Sequence, residues 1–254
     1  MTAAATRARP GRNLFRLAPP IGLILAAGAV LLLALGPVGW RWGWWDLRFS
    51  LLGMMTYSAY LGGAAVVVGA IGLAAGRHGR AIAVIAIVVG ALTVYVPWHY
   101  EVEARSVPPI HDITTDTANP PAFVAAVPLR KAESGNPASY EGARVAALQK
   151  KGYPDLAPLT TSLAPPEAFA TALAAAKEMG WTILATDPQA GRIEASQRSF
   201  WYGFTDDIVV RVAAAGAGSR IDVRSSARHG RSDLGVNAAR IRAYLARLKK
   251  ETGG

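Results

Sequence analysis

The chain has 254 residues, of which 52% are apolar and 17% charged, and it carries a formal net charge of +10. The charged fraction is well below the roughly 25% of an average soluble protein. The sequence contains no cysteine, which excludes disulfides, thiol nucleophiles, iron–sulfur clusters and cysteine–zinc sites.

Three uncharged runs in the N-terminal part predict membrane-spanning helices, and they cover residues 17–40, 49–76 and 81–98. Each is close to the roughly 20 apolar residues that a lipid-spanning helix needs. The first run is too long for a signal peptide and is not followed by a small-x-small cleavage site, so we interpret it as a retained anchor. None of the runs contains Asp, Glu, Lys, Arg or His, which disfavours a transporter or pump. Residues 17–100 are therefore interpreted as a passive three-span anchor.

The distribution of arginine predicts the orientation of this anchor. Six arginines precede the first span or lie between the second and third: Arg7, Arg9, Arg12, Arg16, Arg77 and Arg80. By the positive-inside rule, residues 1–16 form a basic cytoplasmic tail and the C-terminal domain lies outside. The predicted location is the inner (cytoplasmic) membrane of a bacterium, with the domain periplasmic or extracytoplasmic. Five tryptophans fit one outer interface, where indole rings prefer to lie: Trp40, Trp42, Trp44, Trp45 and Trp98.

The remaining chain predicts one soluble domain. Residues 101–128 are rich in proline and predict an extended segment, followed by an α+β domain over 129–254. Predicted helices cover residues 139–150, 165–179 and 233–250, and predicted strands cover 181–186, 192–198, 207–212 and 221–225. In the last two strands, apolar residues alternate with residues expected to face outward, among them Asp222 and Arg224. The expected fold is an α-helical membrane anchor plus an antiparallel sheet of about four strands packed on two main helices.

Several segments of this domain resemble a known family. Residues 199–237 contain SFWYGFTDDIVVRV and SRIDVRSSARHGRSDLGVN, and earlier segments read IHDITTD (110–116), NPPAF (119–123) and YPDLAPL (153–159). Together they resemble the bacterial "domain of unknown function 1499" family, over residues 105 to 250. The resemblance implies that N-terminal spans are usual, and it implies no activity. The position of His229 is usually aliphatic in that family, which argues against an essential catalytic histidine.

Two polar groups invite a catalytic interpretation. Asp206 and Asp207 are adjacent acids that could bind a metal or act in acid–base chemistry, or else pair with an arginine such as Arg224 or Arg228. Adjacent residues of a strand face opposite ways, which disfavours joint action. Ser225, His229 and Asp233 could form a hydrolytic triad, but one short loop rarely supplies all three groups and no GxSxG motif is present.

A metal site and an anion site are the remaining candidates. His111, Asp112 and Asp116 could hold a cation, but only two histidines belong to the domain, so neither a metal nor a cofactor is expected. Arg224, Arg228 and Arg231 precede the last helix, whose N-terminus offers free N–H groups to an anion. The alternative is a structural polar network with the aspartates. The full candidate set is Asp206, Asp207, Arg224, Arg228, Arg231, Ser232, Asp233 and Asn237.

These observations favour a binding or accessory module of the cell envelope. The alternatives are an envelope enzyme that uses the Asp/Arg cluster and a structural subunit of a membrane complex. The expected partners are the lipid bilayer and either another envelope protein or an anionic small ligand. Nucleic acid is not expected, because the basic face of the domain would lie outside the cell.

Overall fold

The computed structural model describes residues 11–76 and 79–252, and the chain divides into two compact units between Val102 and Glu103. Side chains are described from Arg16 onward. Most of the predicted basic tail, including Arg7 and Arg9, lies outside the described residues, as do Arg77 and His78 of the predicted cytoplasmic loop.

The first unit is helical. Its helices are α1 (Gly11–Arg41), α2 (Met55–Ala74), which is preceded by a π-helical turn (Phe49–Met54), and α3 (Arg80–Ser106). Within the described residues, three helices are long and apolar enough to cross a membrane: Arg16–Arg41, Phe49–Ala74 and Arg80–Ser106. The three predicted spans are therefore confirmed as helices of the right length and composition.

Glycines allow α2 and α3 to pack closely. A Cβ atom added to Gly62 would lie 2.7 Å from the carbonyl oxygen of Gly90, and one added to Gly90 would lie 2.6 Å from that of Gly62. Gly69 approaches Ala83 in the same way, at 3.0 Å. Because position 62 meets 90 while 69 meets 83, the two helices are antiparallel. Small residues at such contacts let backbones approach closely where no hydrophobic effect drives association.

The second unit is an α+β domain, as predicted. Its helices are α4 (Ala126–Ala132), α5 (Ala143–Gly152), α6 (Pro165–Glu178) and α7 (Val236–Thr252). Its strands are β1 (Asp112–Thr114), β2 (Leu159–Thr161), β3 (Thr182–Asp187), β4 (Arg192–Arg198), β5 (Thr205–Ala215) and β6 (Gly218–Ala227). The strands form one sheet in the order β1-β6-β5-β4-β3, with β2 also paired to β6, and every pairing is antiparallel.

One face of the sheet forms the apolar core. Ile208, Val210 and Val212 of β5 face this core, as their alternation predicts, and they pack with side chains of α6 and α7. Tyr244 of α7 is buried and donates a hydrogen bond to the carbonyl oxygen of Ala172 in α6 at 2.7 Å. The hydroxyl therefore joins the two main helices above the sheet.

The opposite face of the sheet is also covered, which corrects the prediction that Asp222 and Arg224 face outward. Asp222 is 1% exposed and Arg224 is 2% exposed. Residues 115–138, here called the strap, run from the end of β1 across this face and include α4. The strap has no apolar periodicity, so the sequence gives no sign that it covers a sheet.

The predicted extended segment also needs correction. Helix α3 continues to Ser106, because residues 101–106 contain good helix formers and no proline before Pro108. Residues 112–114 then pair with β6 as β1. The sheet has six strands within the described residues instead of about four, because β1 and β2 are three residues long and too short to show a period.

Candidate functional site

Arg224 is a buried arginine that joins β6 to β1 and the strap. Its Nε and Nη2 atoms donate to the two carboxylate oxygens of Asp112 at 2.9 and 2.7 Å. The remaining donors reach the carbonyl oxygens of Pro121 at 3.1 Å and Ala138 at 2.9 Å. Its guanidinium lies 4.6 Å from the centre of the Phe123 ring. A guanidinium can satisfy all of these acceptors at once because its donors are fixed in a planar fork.

Asp207 is the centre of a second group on this face. It is fully buried and accepts hydrogen bonds from Arg228 at 2.7 and 3.0 Å and from Arg130 of α4 at 2.9 Å. Arg228 also pairs with Glu133 of the strap. Arg130 donates further to the carbonyl oxygens of Ser226 and Ala227 at 3.2 and 3.0 Å. One carboxylate of β5 therefore connects the strap to the end of β6.

Asp222 is the third buried acid, and it binds Arg211 and Arg220 at 2.8 and 3.0 Å. Both arginines also reach Asp116 at the start of the strap, at 3.3 and 2.7 Å. Burial raises the pKa of Asp116, but hydrogen bonds from backbone N–H groups and the two guanidiniums outweigh this effect and hold the pKa below its usual value. Asp116 therefore stays ionised and holds the strap to β5 and β6.

Glu194 of β4 fixes the middle of the strap. Its buried carboxylate accepts hydrogen bonds at 3.0 Å from the backbone N–H groups of Val124, Ala125 and Ala126. These groups stand at the start of α4, where the first N–H groups of a helix have no partner within the helix. The carboxylate thus supplies the missing acceptors and ties α4 to the sheet.

Asp206 points to the opposite face from Asp207, as strand alternation predicts. Its carboxylate lies 2.7 Å from Nη2 of Arg240 in α7, and Arg240 also binds Gln197 at 2.7 Å. Burial raises the pKa of Asp206 and outweighs the opposing effect of the Arg240 guanidinium. The two aspartates have different partners on different faces, so they do not form a joint acid–base pair.

The N-terminus of α7 is occupied by the chain's own carboxylate. Asp233 accepts hydrogen bonds from the N–H groups of Gly235 and Asn237, both at 2.9 Å, and Ser232 accepts one from Leu234 at 3.3 Å. Burial raises the pKa of Asp233 despite these hydrogen bonds. The N–H groups expected to hold an anion are thus engaged. Arg224 and Arg228 have separate buried partners, and Arg231 is exposed without an ion pair to another described residue.

The remaining catalytic and metal candidates are not brought together. Ser225 donates to Asn237 at 2.6 Å, and His229 lies 3.6 Å from Glu133. Ser225, His229 and Asp233 therefore do not form the triad that the sequence disfavours. Asn237 also donates to the carbonyl oxygen of His111 at 3.0 Å and so fixes β1.

The three residues considered as cation ligands, His111, Asp112 and Asp116, have separate partners. His111 contacts Glu141 at 3.4 Å, and burial lowers its pKa. Asp112 binds Arg224, while Asp116 binds Arg211 and Arg220. Among the residues that the structure describes, no group of three or more His, Asp or Glu side chains could hold a metal ion.

Sequence reasoning missed Arg130, Glu194 and Arg240, although each forms a central contact. Arg130 lies 77 residues from Asp207, and Arg240 lies 34 residues from Asp206. Nothing in their local sequence distinguishes them from surface arginines. Of the three, only Glu194 could have been recognised from the sequence. It lies inside a predicted strand, and a carboxylate there needs a partner when it is buried.

Comparison with protein families agrees with the observed domain. A family model described as "Protein of unknown function (DUF1499)" matches residues 112–248, from the start of β1 to near the end of α7. Comparison with curated proteins finds no match. Because the family match covers more than half of the 254 residues, the chain belongs to the DUF1499 family.

Proposed function

We propose that this protein is a binding or accessory module of the bacterial cell envelope. Its three spans hold the DUF1499 domain at the outer face of the cytoplasmic membrane. There the domain presents a rigid surface to a partner instead of turning over a substrate. The spans support this proposal, because residues 17–40, 49–76 and 81–98 contain no Asp, Glu, Lys, Arg or His. Ion and proton pathways normally require such residues at membrane depth.

The observation that carries the proposal is the pairing of the buried charges between the strap and the sheet. Asp112, Asp207 and Asp222 each bind guanidinium groups, while Glu194 binds three backbone N–H groups. A general acid or base must come within hydrogen-bond reach of a substrate proton. Carboxylates that are already saturated beneath the strap are poorly placed for that role, whereas they stabilise a fixed domain shape.

The location is tested by fusing alkaline phosphatase, which is active only outside the cytoplasm, after Lys250 or after Arg77. We expect an active enzyme after Lys250 and an inactive one after Arg77, because the arginine-rich segments should remain in the cytoplasm. Immunoblotting of both fusions controls for expression. An inactive Lys250 fusion together with an active Arg77 fusion would place the domain in the cytoplasm and contradict the proposal.

A further inference from the structure

The turn between β4 and β5 displays a phenylalanine to solvent. Phe200 is 97% exposed, although the turn itself is well ordered by hydrogen bonds. The N–H group of Ser199 donates to the carbonyl oxygen of Phe204 at 2.8 Å, and the N–H group of Phe204 donates to the Ser199 hydroxyl at 2.9 Å. Arg198 donates to the carbonyl oxygen of Gly203 at 3.0 Å. Residues 198–204, here called the aromatic tip, therefore hold Phe200 in a defined outward position.

Other aromatic rings form the base of the aromatic tip. Tyr202 is buried and stacks on Phe204 with ring centres 5.2 Å apart, while Trp201 meets Tyr202 edge to face at 5.5 Å. Trp201 is partly exposed beside Phe200. Tryptophan, with an apolar body and a polar N–H, is enriched at membrane–water interfaces, and phenylalanine is typical of the apolar face of interfacial segments.

The aromatic tip lies at the end of the sheet where the chain arrives from the membrane anchor. Arg198 pairs with Thr205, and the N–H group of Arg228 donates to the carbonyl oxygen of Thr205 at 2.9 Å. The N–H group of Ala227 donates to His111 at 2.9 Å. Residues 111, 205 and 228 therefore share one end of the sheet with the aromatic tip, whereas the β5–β6 turn lies at the other end.

The chain from the anchor enters the domain at this end of the sheet. Ile110 lies ten residues beyond Tyr100, which closes the predicted anchor. Even a fully extended chain of that length spans only about 35 Å.

Two exposed arginines, Arg198 and Arg231, lie at the same end. The exposed Glu133 beside them forms an ion pair with Arg228. Arginines beside exposed aromatic rings suit a bilayer surface, where phosphate groups lie above the hydrocarbon region. This combination favours lipid over an apolar protein groove as the occupant of the aromatic tip.

We propose that the aromatic tip inserts Phe200 into the headgroup region of the bilayer that holds the anchor, with Arg198 and Arg231 beside lipid phosphates. The domain is then attached to the membrane at two points, the chain connection and the aromatic tip. The inference does not depend on the side of the membrane on which the domain lies, because either leaflet offers the same surface.

The test uses the absence of cysteine from the sequence. Phe200→Cys and the matched control Ala217→Cys, in the exposed turn at the opposite end of the sheet, each carry one environment-sensitive fluorophore. Both full-length chains are placed in nanodiscs of phosphatidylcholine and phosphatidylglycerol. We expect nitroxide-labelled lipids to quench the label at 200 and aqueous iodide to quench the label at 217. Iodide quenching at 200, or protection from both quenchers as in a protein contact, would overturn the proposal.

A second measurement distinguishes lipid contact caused by Phe200 from lipid contact caused by the fluorophore itself. The label is placed at Ser134→Cys, an exposed position between Glu133 and Gly135, which both contact Arg228 at this end of the sheet. The labelled chains carry either Phe200 or Phe200→Ser. We expect a loss of quenching by nitroxide lipids in the Phe200→Ser chain, because the inserted ring holds the aromatic tip at the interface. Equal lipid quenching in both chains would contradict the role assigned to Phe200.

Discussion

At the scale of single residues, Asp206 and Asp207 show how strand geometry assigns different environments to neighbours in sequence. Asp207 is held between Arg130 and Arg228 under the strap. Asp206 meets Arg240 on the helical side of the sheet. Alternation along β5 predicts the opposite directions, but it does not predict the partners, which come from distant parts of the chain.

The raised pKa of Asp206 predicts a pH dependence of stability. Between the unfolded pKa of about 3.9 and the higher folded pKa, the folded chain binds more protons than the unfolded chain. The contribution of Asp206 to the free energy of unfolding therefore increases as pH falls through this window and decreases as pH rises through it. The amide side chain of Asp206→Asn does not titrate, so this variant lacks the pH-dependent contribution of Asp206 to the free energy of unfolding.

We expect the unfolding free energy of the wild type, minus that of Asp206→Asn, to increase when pH is lowered from about 7 to about 4. Pulse proteolysis of the full chains in detergent measures both values. Asp155, an exposed acid whose pKa is lowered mainly by its hydrogen bond to Arg242, supplies the control. The corresponding difference for Asp155→Asn should stay nearly constant over this range and decrease only below about pH 3.9, where the unfolded chain binds the proton first. A difference for Asp206→Asn that is constant or decreases would contradict the raised pKa.

At the scale of elements, the strap is the segment that covers the second face of the sheet. It covers a sheet face with ion pairs instead of an apolar layer, apart from a small cluster around Phe123, Ala126 and Val209. The carboxylate of Glu194 is its central attachment, because three consecutive backbone N–H groups of the strap depend on it.

Glu194→Gln should loosen the strap while leaving the sheet folded. An amide offers one acceptor oxygen and turns its NH₂ group toward donors, and a hydrogen bond to a charged group contributes about 1.5–3 kcal/mol. We expect faster hydrogen exchange in residues 115–138 and unchanged exchange in β5 and β6. Glu167→Gln is the matched control, since Glu167 is an exposed acid in the first turn of α6. Equal effects of the two substitutions would show that Glu194 does not anchor the strap.

The same elements show what sequence patterns could predict. Strands β5 and β6 and helix α7 were predicted because one face of each is apolar with a regular period. Helix α6 was predicted from its proline start, its alanines and Gly180, and β3 and β4 from the turn between them. The strap, β1 and β2 could not be predicted as parts of the sheet, because their attachment depends on long-range ion pairs and short pairings. For the same reason, the sequence identified Asp207 and Arg228 as candidates but not Arg130, which completes their arrangement.

At the scale of the whole molecule, the membrane unit and the domain differ in where their charged side chains lie. Residues 17–40, 49–76 and 81–98 contain no charged side chain. The domain, in contrast, buries several carboxylates and supplies each with guanidinium or backbone partners. Much of the net charge of +10 therefore consists of predicted topology signals and exposed arginines and lysines, not of an assembled anion pocket. We propose that the Asp207–Arg228 cluster is a structural network.

Melting of the full chain in detergent, with and without phosphate, tests this claim most directly. Loss of one partner from a buried ion pair costs about 3–5 kcal/mol, whereas loss from an exposed pair costs at most about 1 kcal/mol. We expect Arg228→Ala to lower the melting temperature strongly and Arg242→Ala, which breaks an exposed pair with Asp155, to change it little. Phosphate should raise neither the wild-type nor the Arg228→Ala melting temperature. If Arg228→Ala leaves the melting temperature unchanged or raises it, and phosphate raises the melting temperature of the wild type, the cluster is an anion site. That result would contradict a structural role for the Asp207–Arg228 cluster.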